Sequence, residues 1–257
     1  MNIIVLAAGQ GTRLRPYTND KPKCMVSLSG KPLLHHQLDV MERLGITKQD
    51  IALVGGYLQE ALVAPGLKQY RNERFAQTNM VETLFCAEEF MVDGEDLIIA
   101  YGDIVYEPTV LQALLDTQGD MVITADLDWE KLWSLRMANP LDDAETFKIN
   151  EDGFVCELGK KPESKDEVQA QYMGLIKVSA DKVCAFKAFY HSLDRAEIYD
   201  GKDFDNMYMT SFIQNLIDSG WKVKPAFVHN GWIEVDTVDE LDMYESMGIF
   251  KYKPLLY

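Results

Sequence analysis

Cysteine is scarce and scattered. Cys24, Cys86, Cys156 and Cys184 form no C-x-x-C pair, and no histidine stands at zinc spacing. A disulfide framework and a zinc-built fold are thereby disfavoured, and the thiols read as reduced cysteines of a cytoplasmic protein. No apolar run approaches the length that crosses a bilayer, and the first residues read as a core strand, not as a basic leader ahead of a cleavage site. Positive charge is in deficit: 25 Lys and Arg face 41 Asp and Glu, a formal charge of -16 that repels nucleic acid and anionic membrane in bulk. Two common phosphate loops are missing. There is no G-x-x-x-x-G-K-[ST], and Gly9-Gln10-Gly11 lacks the third glycine of the dinucleotide fingerprint, which argues against a kinase-type P-loop and a Rossmann dehydrogenase. Internal repeats and low-complexity linkers are absent too.

What remains is an ordinary globular composition, 47% hydrophobic and 26% charged over 257 residues. That length suits one large α/β domain, residues 1–257, with a half at about 1–125 and a second at 126–257. Residues 2–8 are apolar up to a glycine, the profile of a strand covered on both faces. A helix over Leu33–Leu44 stops at Gly45; strands follow at Ile51–Val54 and Asp96–Tyr101, with an amphipathic helix at Val81–Met91 between them. Helix Thr109–Asp116 leads to strand Met121–Ala125. This alternation argues for a mostly parallel sheet between helical layers, with ligands at the carboxyl ends of its strands. Gly9-Gln10-Gly11 and Gly102-Asp103 both fall at such ends, so they should share a cleft. After residue 145 the texture changes to a hairpin, Phe147–Ile149 and Phe154–Leu158 about Asp152-Gly153, the start of a small β-rich lobe. Strand Tyr172–Val178, helices near 180–191 and 210–218, a strand reaching Val228 and a last strand Trp232–Asp236 complete the reading.

The opening strand runs into Ala7-Ala8-Gly9-Gln10-Gly11-Thr12-Arg13-Leu14-Arg15-Pro16, followed by Lys21-Pro22-Lys23. Small residues let backbone N–H groups approach anionic oxygens, and Arg13 and Lys23 supply local charge to an acidic protein. Alone, Gly9-x-Gly11 is equally a tight strand-to-loop turn. The whole segment, L-A-A-G-x-G-T-R-L-x-P-x-T with P-K-x-M beyond, resembles the signature of the nucleotidyltransferases that make sugar nucleotides and CDP-activated small molecules. The resemblance implies a Rossmann-like three-layer α/β/α fold of the nucleotide-diphospho-sugar transferase type. It implies a nucleotide held by Leu6, Ala7, Ala8, Gly9, Gly11, Thr12, Asn79, Tyr101 and Gly102, although Asn79 also suits a helix N-cap. It further implies Mg²⁺ on Asp103 and Asp236, where Asp103 by itself reads equally as a turn aspartate. Glu234 shares a face with Asp236 by strand periodicity and is left open as a ligand.

Attack at an α-phosphorus needs positioning and charge neutralisation more than covalent chemistry. Arg13 and Lys23 are assigned to the triphosphate and Lys160 to the attacking anion, although each lysine alone also fits a solvated surface. Asn79-Met80, Asp126-x-Asp128-Trp129, Leu158-Gly159-Lys160-Lys161-Pro162 and Trp232–Asp236 are similar to segments of the phosphocholine, aminoethylphosphonate and phosphoglutamine cytidylyltransferases. Those enzymes use CTP and a small phosphorylated acceptor. Trp129, Trp133, Tyr172 and Trp232 could cage a choline or simply pack the core. Arg136 would instead bind a carboxylate, with Glu145, Asp142 or Asp143 on an amine, and Glu234 is placed among the acceptor contacts. The segments 139–146 and 200–210 look most like those of the phosphoglutamine enzymes of capsule phosphoramidate decoration, which favours phosphoglutamine. Phosphocholine, aminoethylphosphonate and a sugar-1-phosphate are the alternatives. A regulatory subunit that binds nucleotide without turnover would lack a metal carboxylate or a cation, and Arg13, Lys23, Asp103 and Asp236 are all present. The apolar run Ile249–Tyr257 could dock on its own domain or on a neighbour, with a homodimer the favoured assembly.

Overall fold

The structure is a computed structural model and describes residues 1–249. In chain order, strand β1 (Asn2–Ala7) leads through the glycine turn to a short hairpin, β2 (Ser27–Leu28) and β3 (Lys31–Pro32), and then helix α1 (Leu33–Arg43). β4 (Ile51–Gly55), β5 (Lys68–Arg71), α2 (Met80–Phe85), β6 (Leu97–Tyr101), β7 (Ile104–Tyr106), α3 (Pro108–Asp116) and β8 (Met121–Asp126) follow. The second half holds α4 (Trp129–Arg136), β9 (Phe147–Ile149), β10 (Val155–Leu158), β11 (Gln171–Val178), α5 (Val183–Ser192) and α6 (Met209–Asp218). It ends with β12 (Val223–Val228), β13 (Trp232–Glu234) and α7 (Val238–Met247).

Seven strands form one sheet in the order β12-β8-β11-β6-β1-β4-β5. Neighbours are parallel except at β11, which runs antiparallel to both β6 and β8. Because successive side chains on a strand face opposite ways, Ile3, Val5 and Ala7 of β1 enter one apolar layer and Ile4 and Leu6 the other. Residues of α1, α3, α4 and α7 fill the first layer; those of α2, α5 and α6 fill the second. The expected three-layer α/β/α sandwich is therefore present, and the β9–β10 hairpin is its small β-rich addition. That hairpin is tied to α6 where Leu158 N–H donates to Gln214 Oε1 at 2.8 Å.

Two elements depart from expectation. The helix expected over 81–91 ends at Phe85, and Glu88–Phe90 forms only a 3₁₀ turn. Glu88 and Glu89 would have placed two carboxylates at the negative end of a longer helix, which the helix dipole disfavours. The last strand stops at Glu234 and, among the described residues, pairs with β7 alone, so it makes a separate two-stranded ribbon beside the main sheet. Among the described residues no helix is long and apolar enough to cross a membrane, and all four cysteines are free. Of the C-terminal run given a docking role above, all but Ile249 lies outside the described residues.

Candidate active site

The carboxyl ends of β1 and β6 lie side by side because Gly102 N–H donates to the Leu6 carbonyl at 2.9 Å. A Cβ on Gly102 would stand 2.5 Å from that oxygen, so only glycine permits the approach. The cleft above this junction is walled by Leu6, Ala7, Ala8 and Gly9 on one side and Tyr101 and Gly102 on the other. Phe75, Thr78, Asn79, Met80 and Thr83 close it. Asn79 caps α2, accepting from Met80 N–H at 2.8 Å, and it also lines the cleft. Gly11 and Thr12 are not on that wall. Gly11 turns the chain at φ +59, and a Cβ there would meet the Lys23 stem at 3.0 Å, while Thr12 is exposed at the start of a 3₁₀ turn. Lys23, packed beside Gly11, itself lines the cleft.

Three carboxylates converge at the edge of this cleft. Val235 N–H donates to the Asp103 carbonyl at 3.2 Å, which brings the end of β13 to the loop after β6. Asp103, Glu234 and Asp236 consequently present oxygens that all lie within 4.8 Å of one another. Lys23 bridges two of them, 2.6 Å from Asp103 and in hydrogen-bond contact with Asp236. Arg13 adds a contact to Asp236 at 3.0 Å. Burial opposes the Lys23 charge, yet Asp103, Asp236 and Glu234 outweigh it and hold the ammonium more firmly protonated than an ordinary lysine. Burial, then Asp236 and Asp103, push the Glu234 carboxyl above the usual range. For Asp236 burial also opposes ionisation, but Lys23, Arg13 and Arg136 prevail and its pKa is lowered. Asp103 Oδ1 is buried with no hydrogen-bond partner. A free carboxylate oxygen within a three-carboxylate set is the hard donor chemistry a divalent cation takes, so these residues fit one.

A second cavity opens on the other side of the cluster, lined by Glu234 and Asp236 themselves. Trp133, Tyr172, Trp232 and Tyr208 give it aromatic walls, and Asp143 and Glu145 give it negative charge. Met80 and Tyr101 line both cavities, so the two sites touch. Glu145 is deep in this second site; desolvation first, and Asp143 second, push its carboxyl up to about 7. Tyr172 sits edge-on to Tyr101 at 5.8 Å, and the Trp232 indole N–H donates to Asp126 at 3.0 Å.

Three expected acceptor or catalytic residues lie elsewhere. Trp129 packs behind Trp133 and donates to the Val168 carbonyl at 3.2 Å, off the cavity wall. Lys160 is exposed on the strand-end turn beyond β10 and is on neither wall, while Lys161 is bound to the Asp142 carbonyl at 2.6 Å. Arg136 stands behind the acids, its side chain 2% exposed. Glu240 escaped the sequence reading altogether: it accepts from Asp236 N–H at 2.8 Å and Thr237 N–H at 3.0 Å. Its signal was available, since Thr237-Val238-Asp239-Glu240 is a capping box.

The architecture is that of known nucleotide-activating transferases. The inositol-1-phosphate CTP transferase from T. maritima superposes with a TM-score of 0.70 at 18% identity, over 97% of this chain and 96% of that one. The CTP:phosphocholine cytidylyltransferase from Streptococcus pneumoniae gives 0.67 at 19% identity, over 96% and 98%. Residues 3–145 match the MobA-like NTP transferase domain, and the chain belongs to that family. It is therefore a nucleotidyltransferase. Among individual relatives, the CTP:phosphoglutamine cytidylyltransferase of Campylobacter jejuni is 44% identical over 253 residues, 95% of this chain and 98% of that protein. A UTP–glucose-1-phosphate uridylyltransferase of Haloferax volcanii is 31% identical over 63% of this chain and 66% of its own length.

Proposed function

We propose that this protein transfers CMP from CTP to the phosphate of phosphoglutamine and releases pyrophosphate. The observation that carries the reading is the 44% identity to the Campylobacter jejuni enzyme along nearly the full length of both chains. The second cavity supports it, because Asp143 and Glu145 suit an acceptor that bears an ammonium group and do not suit a neutral sugar.

An acceptor phosphate oxygen attacks the α-phosphorus in line, and the bond from that phosphorus to the bridging oxygen of pyrophosphate breaks. The glycine turn seats the nucleotide between β1 and β6. Lys23 and Arg13 leave their carboxylates for the triphosphate and neutralise charge as it shifts to the leaving group. Glu145 and Asp143 hold the acceptor ammonium, Trp133, Tyr172 and Trp232 exclude water around it, and Lys160, exposed on the turn beyond β10, is the cation assigned to the attacking phosphate. Asp103 and Asp236, with Glu234 beside them, would hold Mg²⁺, which when bound draws charge off the phosphates. One domain carries both sites, the nucleotide in residues 1–125 and the acceptor mainly in 126–257, with Met80, Tyr101 and Ile104 of the first half also on its wall. Free thiols and an acidic surface agree with a cytoplasmic enzyme that supplies an activated phosphoramidate donor for capsule decoration.

Pyrophosphate release with Mg²⁺, crossing CTP and UTP against phosphoglutamine, phosphocholine, 2-aminoethylphosphonate and glucose 1-phosphate, tests this. Release confined to CTP with phosphoglutamine is expected. Equal or faster release with phosphocholine would make the aromatic wall a choline cage, and CTP binding without any release would favour an inert regulatory protein.

A further inference from the structure

We propose that Arg136 is a positioning residue that holds the carboxylate cluster in place and makes no contact with the acceptor; this rests on the nucleotidyl transfer proposed above. Arg136 ends α4, and its guanidinium is turned toward four acids. Nε donates to Glu240 Oε1 at 2.7 Å, while Nη2 lies 3.5 Å from Glu234 Oε2 and 3.7 Å from Asp236 Oδ2. Nη1 is 3.8 Å from Asp143, and the group rests 5.0 Å from the Trp133 ring. Glu234 and Asp236 line the acceptor cavity and Arg136 does not.

The second oxygen of Glu240 completes the connection. It accepts from the backbone N–H groups of Asp236 and Thr237, the residues that follow β13 once its pairing with β7 has ended at Glu234. The position of Asp236 is thus set by Glu240, and that of Glu240 by Arg136. A buried acid left without a counter-charge would destabilise the fold or pick up a proton. Lys23 balances the cluster from the nucleotide side, where a triphosphate competes for it; Arg136 lies on neither cavity wall and its charge stays. The planar guanidinium fork hydrogen-bonds Glu240 while its other nitrogens face Glu234, Asp236 and Asp143 at fixed angles, which a lysine ammonium cannot do.

The test compares Arg136→Lys and Glu240→Gln, singly and together, with the wild-type protein. Mn²⁺ binding is followed by electron paramagnetic resonance with no acceptor present, alongside kcat and the KM for phosphoglutamine. Arg136→Lys keeps the charge and loses the fork, so Mn²⁺ affinity should fall about tenfold, as for other residues that orient metal ligands. The phosphoglutamine KM should stay within about twofold while kcat drops, and the double variant should be no weaker than the worse single one, because both act on one chain of contacts. A raised phosphoglutamine KM with wild-type Mn²⁺ binding would make Arg136 an acceptor contact and overturn the proposal, as would no change in either. Should Arg136→Lys not fold, Glu240→Gln decides alone: its amide oxygen still accepts from Asp236 and Thr237, and wild-type Mn²⁺ affinity in it overturns the proposal. Absence of turnover with phosphoglutamine in the wild-type protein would defeat the functional reading and leave the Mn²⁺ titrations interpretable.

Discussion

Burial sets the chemistry of Glu145 before any acceptor arrives. Its carboxyl is pushed from the ordinary 4.5 up to about 7, chiefly by lost hydration and secondly by the like charge of Asp143. The folded chain therefore keeps this proton over an interval in which the unfolded chain has released it. Its contribution to stability is full below about 4.5 and is lost as pH rises through about 7. Binding an acceptor ammonium runs the other way, since only the carboxylate attracts it. Between roughly pH 6 and 7 the acceptor KM should fall by up to about tenfold per unit and then level off. Glu145→Gln should raise that KM and flatten the profile while the CTP KM stays within about twofold. The same slope in Glu145→Gln, measured by steady-state pyrophosphate release, would move the titration onto another group.

At the scale of elements, the site depends on how closely strand ends approach. Gly102 brings β6 against β1, and the Cβ of an alanine would be forced to 2.5 Å from the Leu6 carbonyl. That oxygen belongs to a central strand and cannot swing aside as a flexible side chain could. Gly102→Ala should cost about 1–3 kcal/mol, lower the Tm by several degrees and weaken CTP binding at least about tenfold. A thermal melt with a CTP titration checks it; an unchanged CTP affinity would mean that the Leu6–Gly102 junction does not shape the nucleotide cleft. This junction was legible in the sequence because each half is local: an apolar run ending at Gly9, another ending at Gly102, and a parallel sheet that makes their ends neighbours. The Asp103–Asp236 pairing was legible only through the family signature. The Arg136–Glu240 contact spans 104 residues. Both ends carried local signals, a helix end and a capping box, but nothing in either segment names the other. Arg136 consequently read as a substrate contact.

Across the whole molecule the two cavities draw most of their walls from different stretches of chain and must still act on one pair of substrates. Glu145, Tyr172 and Trp232 were singled out in the sequence by their chemistry and not by periodicity, and Tyr208 was not singled out as an acceptor contact, since the four come from a loop, an antiparallel strand, a separate ribbon and a helix cap. One segment joins this wall to the nucleotide side. Asp205 pairs with Arg74, its carbonyl accepts from Asn79 N–H at 2.9 Å, and the chain continues to Tyr208, Met209 and Thr210 in the acceptor cavity. Nucleotide held against Asn79 should then steady the acceptor wall, so phosphoglutamine should bind more tightly when a non-hydrolysable CTP analogue is present. The Arg74 and Asp205 side chains are 57% and 31% exposed, and such a pair contributes about 0–1 kcal/mol. Asp205→Ala should therefore reduce the gain by no more than about fivefold, and about 0.5 M NaCl should do the same to the wild-type protein by screening. Calorimetric titration of phosphoglutamine with and without the analogue measures both effects. A gain that survives in Asp205→Ala and in high salt would place the coupling in Met80 and Tyr101, the two side chains that line both cavities.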